Sequence, residues 1–133
     1  MDDLSIIIVD ENNMFRQVLI SLLISIYKVK IIANVSSIEE LELIQNYNKA
    51  DLILLDLTMP EINGIEFMKK IIKIHNDIQV IAITHYNDSV YRLKIIEAGF
   101  ADCIFKDNLF NEINPKIKNR INAKQISNII KPC

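Results

Sequence analysis

The sequence predicts an α/β domain built on a parallel sheet with helices on both faces. Three observations carry this. Five short apolar runs punctuate the chain, and three of them are continuous rather than alternating, as suits strands covered on both faces. Segments with helical spacing lie between the runs. Strand and helix signals alternate five times, the pattern of a doubly wound sheet.

The strands are expected at Leu4–Val9, Lys30–Ala33, Asp51–Leu55, Gln79–Thr84 and Asp102–Phe105. After the first, Phe15, Val18, Leu19, Leu22 and Leu23 recur at intervals of three and four, with Asn12 or Asn13 ahead of them as a cap. Ile38, Leu41, Glu42 and Gln45 repeat the spacing more weakly, behind Ser36-Ser37 and followed by Glu39-Glu40. Ile65, Met68, Ile71 and Ile72 mark the third helix. Val90, Leu93 and Ile96 mark the fourth, with Asn87-Asp88-Ser89 as its start and Gly99 as a left-handed stop. The last helix has two readings. Asn114-Pro115 caps it, or it begins near Asn108 and is bent by Pro115. Ile117, Ile121, Ile126, Ile129 and Ile130 form its apolar stripe.

The chain has 133 residues, half of them hydrophobic, with only two Gly and three Pro, which fits one compact domain with a real core. The formal net charge of −2 gives no overall basic balance, so nucleic acid is not an expected partner of this segment. Cys103 and Cys133 form no CxxC, so neither a disulfide framework nor a zinc site is suggested, and a cytoplasmic setting is expected. No stretch of about 18 apolar residues spans a membrane. With two glycines in all, a glycine-rich phosphate loop is excluded.

Four strands run into polar residues: Val9 into Asp10-Glu11, Leu55 into Asp56, Ile83 into Thr84, and Phe105 into Lys106. In an open parallel sheet, ligands bind at the carboxyl ends of the strands. Carboxylates gathered there repel one another and need a cation or a proton to coexist. Hard oxygen donors without His or Cys favour Mg²⁺ or Mn²⁺ over zinc. A Lys facing them holds an anion such as a phosphoryl oxygen, and a Thr hydroxyl donates to another. Such parts perform phosphoryl transfer to a carboxylate, with Asp56 the candidate nucleophile.

The same residues carry a family resemblance. Asp10-Glu11, the stretch from Asp56 to Gly64 (DLTMPEING), Thr84 and Lys106 resemble the motifs of response-regulator receiver domains, the phosphorylated half of bacterial two-component signalling. The resemblance covers residues 4–121. It implies a flavodoxin-like (βα)5 fold with strand order 2-1-3-4-5. It also implies a receiver domain over residues 1–122, with 123–133 extending the last helix or starting a linker. Asp56 would be the phosphoacceptor. Glu11 and Asp56 would bind Mg²⁺ directly, with Asp10 close by or acting through water and the backbone carbonyl of Thr58 completing the ligands. Thr84 and Lys106 would bind the phosphoryl oxygens. A sensor histidine kinase is the implied partner. A second copy is another, through the face made by the fourth helix, fifth strand and fifth helix. Beyond promoting its own phosphorylation and dephosphorylation, no enzyme activity is expected. Phe15-Arg16 and Lys106-Asp107 lean towards the NarL/FixJ subfamily, whose members usually carry a DNA-binding domain. Too few residues follow Lys106 for one, so the expectation is a stand-alone receiver or one cut from a longer regulator.

Three positions depart from the family pattern. The acidic pair reads Asp-Glu. His85 stands where a small residue usually follows the Thr. Cys103 stands where an aromatic ring usually turns inward on phosphorylation. The last two motivate an alternative, a receiver-like scaffold that acts by protein contact without switching. A haloacid-dehalogenase-type phosphatase needs a second Asp two residues after the nucleophile, and that position is Thr58.

Overall fold

In a computed structural model of the chain, the residues described are 3–44, 47–57, 62–74 and 77–130. Ten main elements follow in order: β1 (Leu4–Val9), α1 (Asn13–Ile26), β2 (Val29–Val35), α2 (Ile38–Glu42), β3 (Leu52–Asp56), α3 (Ile62–Ile74), β4 (Gln79–Thr84), α4 (Ser89–Glu97), β5 (Asp102–Phe105) and α5 (Leu109–Ile130). Short 3₁₀ turns lie at Tyr47–Lys49 and Lys106–Asn108. The five strands pair in parallel in the order β2-β1-β3-β4-β5, as expected, with one register irregularity between Ile6 and Ile7 where β1 meets β2.

The unbroken apolar runs are explained by which face each residue serves. Successive side chains of a strand point to opposite faces. Ile7, Val9, Ile53, Leu55, Val80, Ala82 and Cys103 pack on one side with Leu41 of α2, Phe67, Met68 and Ile71 of α3, and Ile95 of α4. Ile6, Ile8, Leu52, Leu54, Ile81, Ile83 and Ile104 pack on the other with Leu19 and Leu23 of α1 and Leu109, Ile113 and Ile117 of α5. Because both faces are covered, no polar face is left to interrupt the pattern. Each fully buried Leu or Ile contributes about 1.5–3 kcal/mol at most.

The helix starts follow local chemistry. Asn12 Oδ1 accepts from Phe15 N at 3.0 Å and Ser37 Oγ from Glu40 N at 3.1 Å. Asp88 Oδ1 accepts from Val90 N at 3.0 Å. Each satisfies an amide that a helix N-terminus leaves without an intrahelical partner. Glu40 reaches back to accept from Ser36 N at 3.1 Å, a second such bond over the same turn. Gly99 has φ 113°, a left-handed turn between α4 and β5 that lets the chain re-enter the sheet. At Gly64 a Cβ would run into the Leu57 side chain, so the glycine lets α3 pack closely beside the end of β3.

Several expectations need correction. β2 is longer than Lys30–Ala33, and β3 runs from Leu52 to include Asp56, so the carboxylate belongs to the last paired residue of the strand. On α4 the residues with helical spacing do not form the core face. Val90, Leu93 and Ile96 are exposed, and Ile95 is buried instead, with Tyr91 and Ala98 packed partly against the same core. Spacing of three or four defines a face but not which face meets the sheet. Val18 on α1 is likewise half exposed. Gln45 lies outside the described residues. α5 begins at Leu109 and contains Pro115, so the cap at Asn114-Pro115 is not formed. Leu109, Ile113 and Ile117 bury its first turns, while Ile126 and Ile129 are exposed. Further along, Lys124 Nζ donates to Asp51 Oδ2 at 2.7 Å and to the Asp3 carbonyl at 2.8 Å, tying the helix to the amino edge of the sheet.

Candidate functional site

The strand registers bring the polar exits to one edge. Val9 pairs with Leu55, Asp56 with Ile83, and Thr84 with Phe105. Asp10, Asp56, Thr84 and Lys106 therefore share the carboxyl edge of the sheet, as their sequence positions predicted.

The Lys106 ammonium stands between two carboxylates. Its Nζ is 2.7 Å from Asp10 Oδ2 and 3.5 Å from Asp56 Oδ1. Both carboxylates are buried, with side-chain exposures of 1% for Asp10 and 2% for Asp56. Asp10 is held further by the Asn12 amide, which donates to its Oδ1 at 2.8 Å. Asp56 is not held in this way. Neither of its carboxyl oxygens has a hydrogen-bond partner among the described residues. Burial, then the Asp10 charge, pushes the Asp56 carboxyl up to about 6, against the opposing pull of Lys106. A buried carboxylate with two unsatisfied oxygens beside a second carboxylate is costly, and it fits a site completed by a cation or an electrophile.

Thr84 is fully buried, and its Oγ1 accepts from the Tyr86 amide at 3.1 Å, which leaves its own O–H to donate. Glu11 is exposed beside Asp10. Among the described residues no three His, Cys, Asp or Glu side chains form a group that could hold a metal by themselves. The carbonyl of Thr58 lies outside the described residues. The structure thus brings Asp10, Asp56 and Lys106 together, sets Thr84 at the same edge, and leaves Glu11 outside that group.

Two residues that sequence reading used as subfamily markers, and Phe15 also as part of a helix stripe, support the site. The Phe15 ring lies under the Lys106 ammonium, 4.2 Å from Nζ to the ring centre, a cation–π contact. Arg16 donates from Nη1 to the Asp10 carbonyl and from Nε to Asn34 Oδ1 at 3.3 Å, linking the loop after β1 to β2. Their positions just after the acidic pair, in the first turn of α1, were the available signal.

Cys103 is buried in the core, 2% exposed, and burial pushes its thiol up. Near it, Glu112 Oε1 accepts from Arg92 Nη2 at 2.8 Å and from the Phe105 amide at 3.2 Å, joining α4, β5 and α5.

An open (βα)5 sheet with an acid–lysine–acid arrangement at its carboxyl edge defines a doubly wound α/β domain with a polar site at its strand ends. The chain belongs to the response regulator receiver domain family, whose model matches residues 6–118. It is 27% identical to the transcriptional regulatory protein DegU of Brevibacillus brevis over 105 residues, 78% of this chain and 44% of that protein. It is 27% identical to the response regulator GacA of Pseudomonas protegens over 113 residues, 85% of this chain and 53% of that protein. The chain thus spans about half the length of these curated relatives. Among solved structures, a DNA-binding response regulator of the LuxR family from Staphylococcus aureus matches with TM-score 0.72 and 28% identity, over 89% of this chain and 98% of that one. The signal receiver domain of NarL from Mycobacterium tuberculosis matches with TM-score 0.78 and 20% identity, over 92% and 98%. A chain of the CheX-CheY-BeF3-Mg²⁺ complex from Borrelia burgdorferi matches with TM-score 0.65 and 24% identity, over 75% of each. This is a receiver domain of two-component response regulators, and phosphorylation-dependent switching is the general function of such domains.

Proposed function

We propose that Asp56 is the phosphoacceptor of this receiver, and that a sensor histidine kinase supplies the phosphoryl group. One observation carries the reading: Asp56 is a buried carboxylate whose two oxygens lack hydrogen-bond partners among the described residues, 3.5 Å from a lysine ammonium. In the step, an Asp56 oxygen forms a bond to phosphorus. The bond from phosphorus to the donor nitrogen breaks, and the donor imidazole keeps the electron pair and takes up a proton. Lys106 neutralises one phosphoryl oxygen and the Thr84 hydroxyl donates to another. Lys106 must loosen its hold on Asp10 or share itself between the two charges.

Asp10, Glu11, Asp56 and the Thr58 carbonyl are the proposed Mg²⁺ ligands. The unsatisfied Asp56 oxygens and the adjacent Asp10 charge suit a hard divalent cation. Bound there, Mg²⁺ would offset negative charge on the carboxylates and the phosphoryl oxygens. The chain acts on itself rather than on a released substrate. Residues 1–122 form the proposed receiver unit and 123–133 an extension or linker. The similarity to DNA-binding regulators supports placement in a longer transcriptional regulator in the bacterial cytoplasm, and no helix among the described residues is long and apolar enough to cross a membrane. Exposed Val90 and Leu93 on α4 and Phe110 on α5 support a homodimer through the α4–β5–α5 face.

Incubation with acetyl phosphate and Mg²⁺ followed by intact-mass measurement tests the central step. A phosphoryl adduct present in the parent chain and lost in Asp56→Asn is expected. An adduct that persists in Asp56→Asn would place the phosphate elsewhere.

A further inference from the structure

Four contacts close a circuit around the Lys106 ammonium. Its Nζ donates to Asp10 Oδ2 at 2.7 Å. Asp10 Oδ1 accepts from the Asn12 amide at 2.8 Å, and Asn12 Oδ1 accepts from the Phe15 amide at 3.0 Å. The Phe15 ring then returns to Nζ, 4.2 Å from the ring centre. The cap that starts α1 thus fixes the ring relative to the same carboxylate that takes the lysine. Phe15 also packs partly against the core on the α1 and α5 side of the sheet, so its place does not depend on the lysine alone.

A lysine carries three N–H donors on a flexible four-carbon stem. Of the two carboxylates Asp10 is the nearer, with Asp56 at 3.5 Å. Left to these alone, the ammonium would settle on Asp10 and away from Asp56. A ring face attracts the whole charge rather than one N–H, and it brings no competing acceptor oxygen. Held at the ring, the ammonium can turn its donors from Asp10 to a new oxygen without leaving the site.

We propose that Phe15 is a positioning residue: its ring holds the Lys106 ammonium ready for the phosphoryl oxygens and so speeds the loading of Asp56. The proposal rests on Asp56 being the phosphoacceptor. With acetyl phosphate, an Asp56 oxygen forms a bond to phosphorus as the bond from phosphorus to the acetate oxygen breaks, and acetate leaves with the electron pair. Negative charge on the transferring group is spread over its three equatorial oxygens, and the ammonium stabilises it best when already beside one of them. An ammonium that must first be recovered from Asp10 or from water lowers the rate.

The test uses the full chain with acetyl phosphate and Mg²⁺, with loading followed by intact mass. Lys106 is only 10% exposed, which sets the contact between an exposed and a desolvated cation–π pair, an effect on rate of about threefold to tenfold. Phe15→Leu keeps an apolar side chain but removes the ring face, and should load more slowly by that factor. Phe15→Tyr restores a ring face and should load near the parent rate. A further series replaces Phe15 site-specifically with phenylalanine bearing one, two or three ring fluorines, which draw electron density from the ring face with little change of shape. Loading should slow stepwise along that series, which a purely packing role of the ring would not produce. A urea midpoint for each variant detects any loss of fold, and the fluorine series decides the matter if Phe15→Leu is destabilised. Loading of a folded Phe15→Leu within about twofold of the parent overturns the proposal, since a contact of this strength must do more than that. A parent chain that takes up no phosphoryl group overturns the Asp56 reading and the role of Phe15 with it. A parent that loads at a rate insensitive to the fluorines overturns the role of Phe15 alone.

Discussion

Lys106 places its ammonium 2.7 Å from Asp10 Oδ2, with only 10% of the lysine side chain exposed. The same ammonium lies 3.5 Å from Asp56. One cation therefore faces two buried anions, which leaves the site with an excess of negative charge that a single lysine does not neutralise.

Removing that cation should be expensive. Lys106→Met would leave both carboxylates facing each other without compensation. A loss of about 3–5 kcal/mol is expected, the range for breaking a buried ion pair from one side. Urea unfolding at pH 7 in EDTA measures it, and added Mg²⁺ should recover part of the loss. An unchanged midpoint would mean that the carboxylates are not electrostatically dependent on Lys106.

Asp56→Asn should stabilise the chain at neutral pH in the absence of divalent cations. The folded carboxyl titrates at about 6 against an ordinary 3.8, so the folded state holds its proton more tightly than the unfolded state does. Stability of the parent therefore falls as pH rises from about 4 to 6 and then levels off. The uncharged Asn escapes that loss, gaining about 1–3 kcal/mol at pH 7 and nothing from this source below about pH 4. Urea midpoints of the two proteins at pH 4 and pH 7 would show it. Equal stability at both pH values would contradict the buried, repelled state of Asp56.

Cys103 should be unreactive in the folded chain. Its burial raises the thiol pKa and blocks access, both of which keep thiolate scarce. In a Cys133→Ser background, a thiol reagent at pH 8 should label Cys103 only as fast as the domain opens, and denaturant should release the full reaction. Labelling within seconds under native conditions would contradict a buried, inert thiol.

Gly99→Ala should destabilise through the backbone. At φ 113° a Cβ is strained, and it would also meet the Ile72 side chain. The expected cost is about 1–3 kcal/mol, read as a fall in Tm. A neutral substitution would show that the turn relaxes at little cost.

Strand positions were the most legible part of the fold. β1, β4 and β5 fall at the expected bounds, because an apolar run ended by a polar or charged residue leaves few registers open. The helices were less so. The spacing on α4 marks Val90, Leu93 and Ile96 as a stripe, yet Ile95 is the residue that meets the sheet. A stripe intended for a partner and one intended for the core have the same period. On α5 the Pro did not stop the helix, because Leu109, Ile113 and Ile117 anchor the turns on either side of it.

The chain's own order of residues determined the sheet, its doubly wound character, and the gathering of Asp10, Asp56, Thr84 and Lys106 at one edge. Each of these follows from which residue ends each strand, and that is local information. Only the tertiary structure decided that Lys106 bridges Asp10 and Asp56, that Phe15 lies under its ammonium, and that His85 meets Asp107 at the rim. These contacts join residues far apart in the chain. Charge pairing, burial and access act through space, and the sequence lists its residues without their distances.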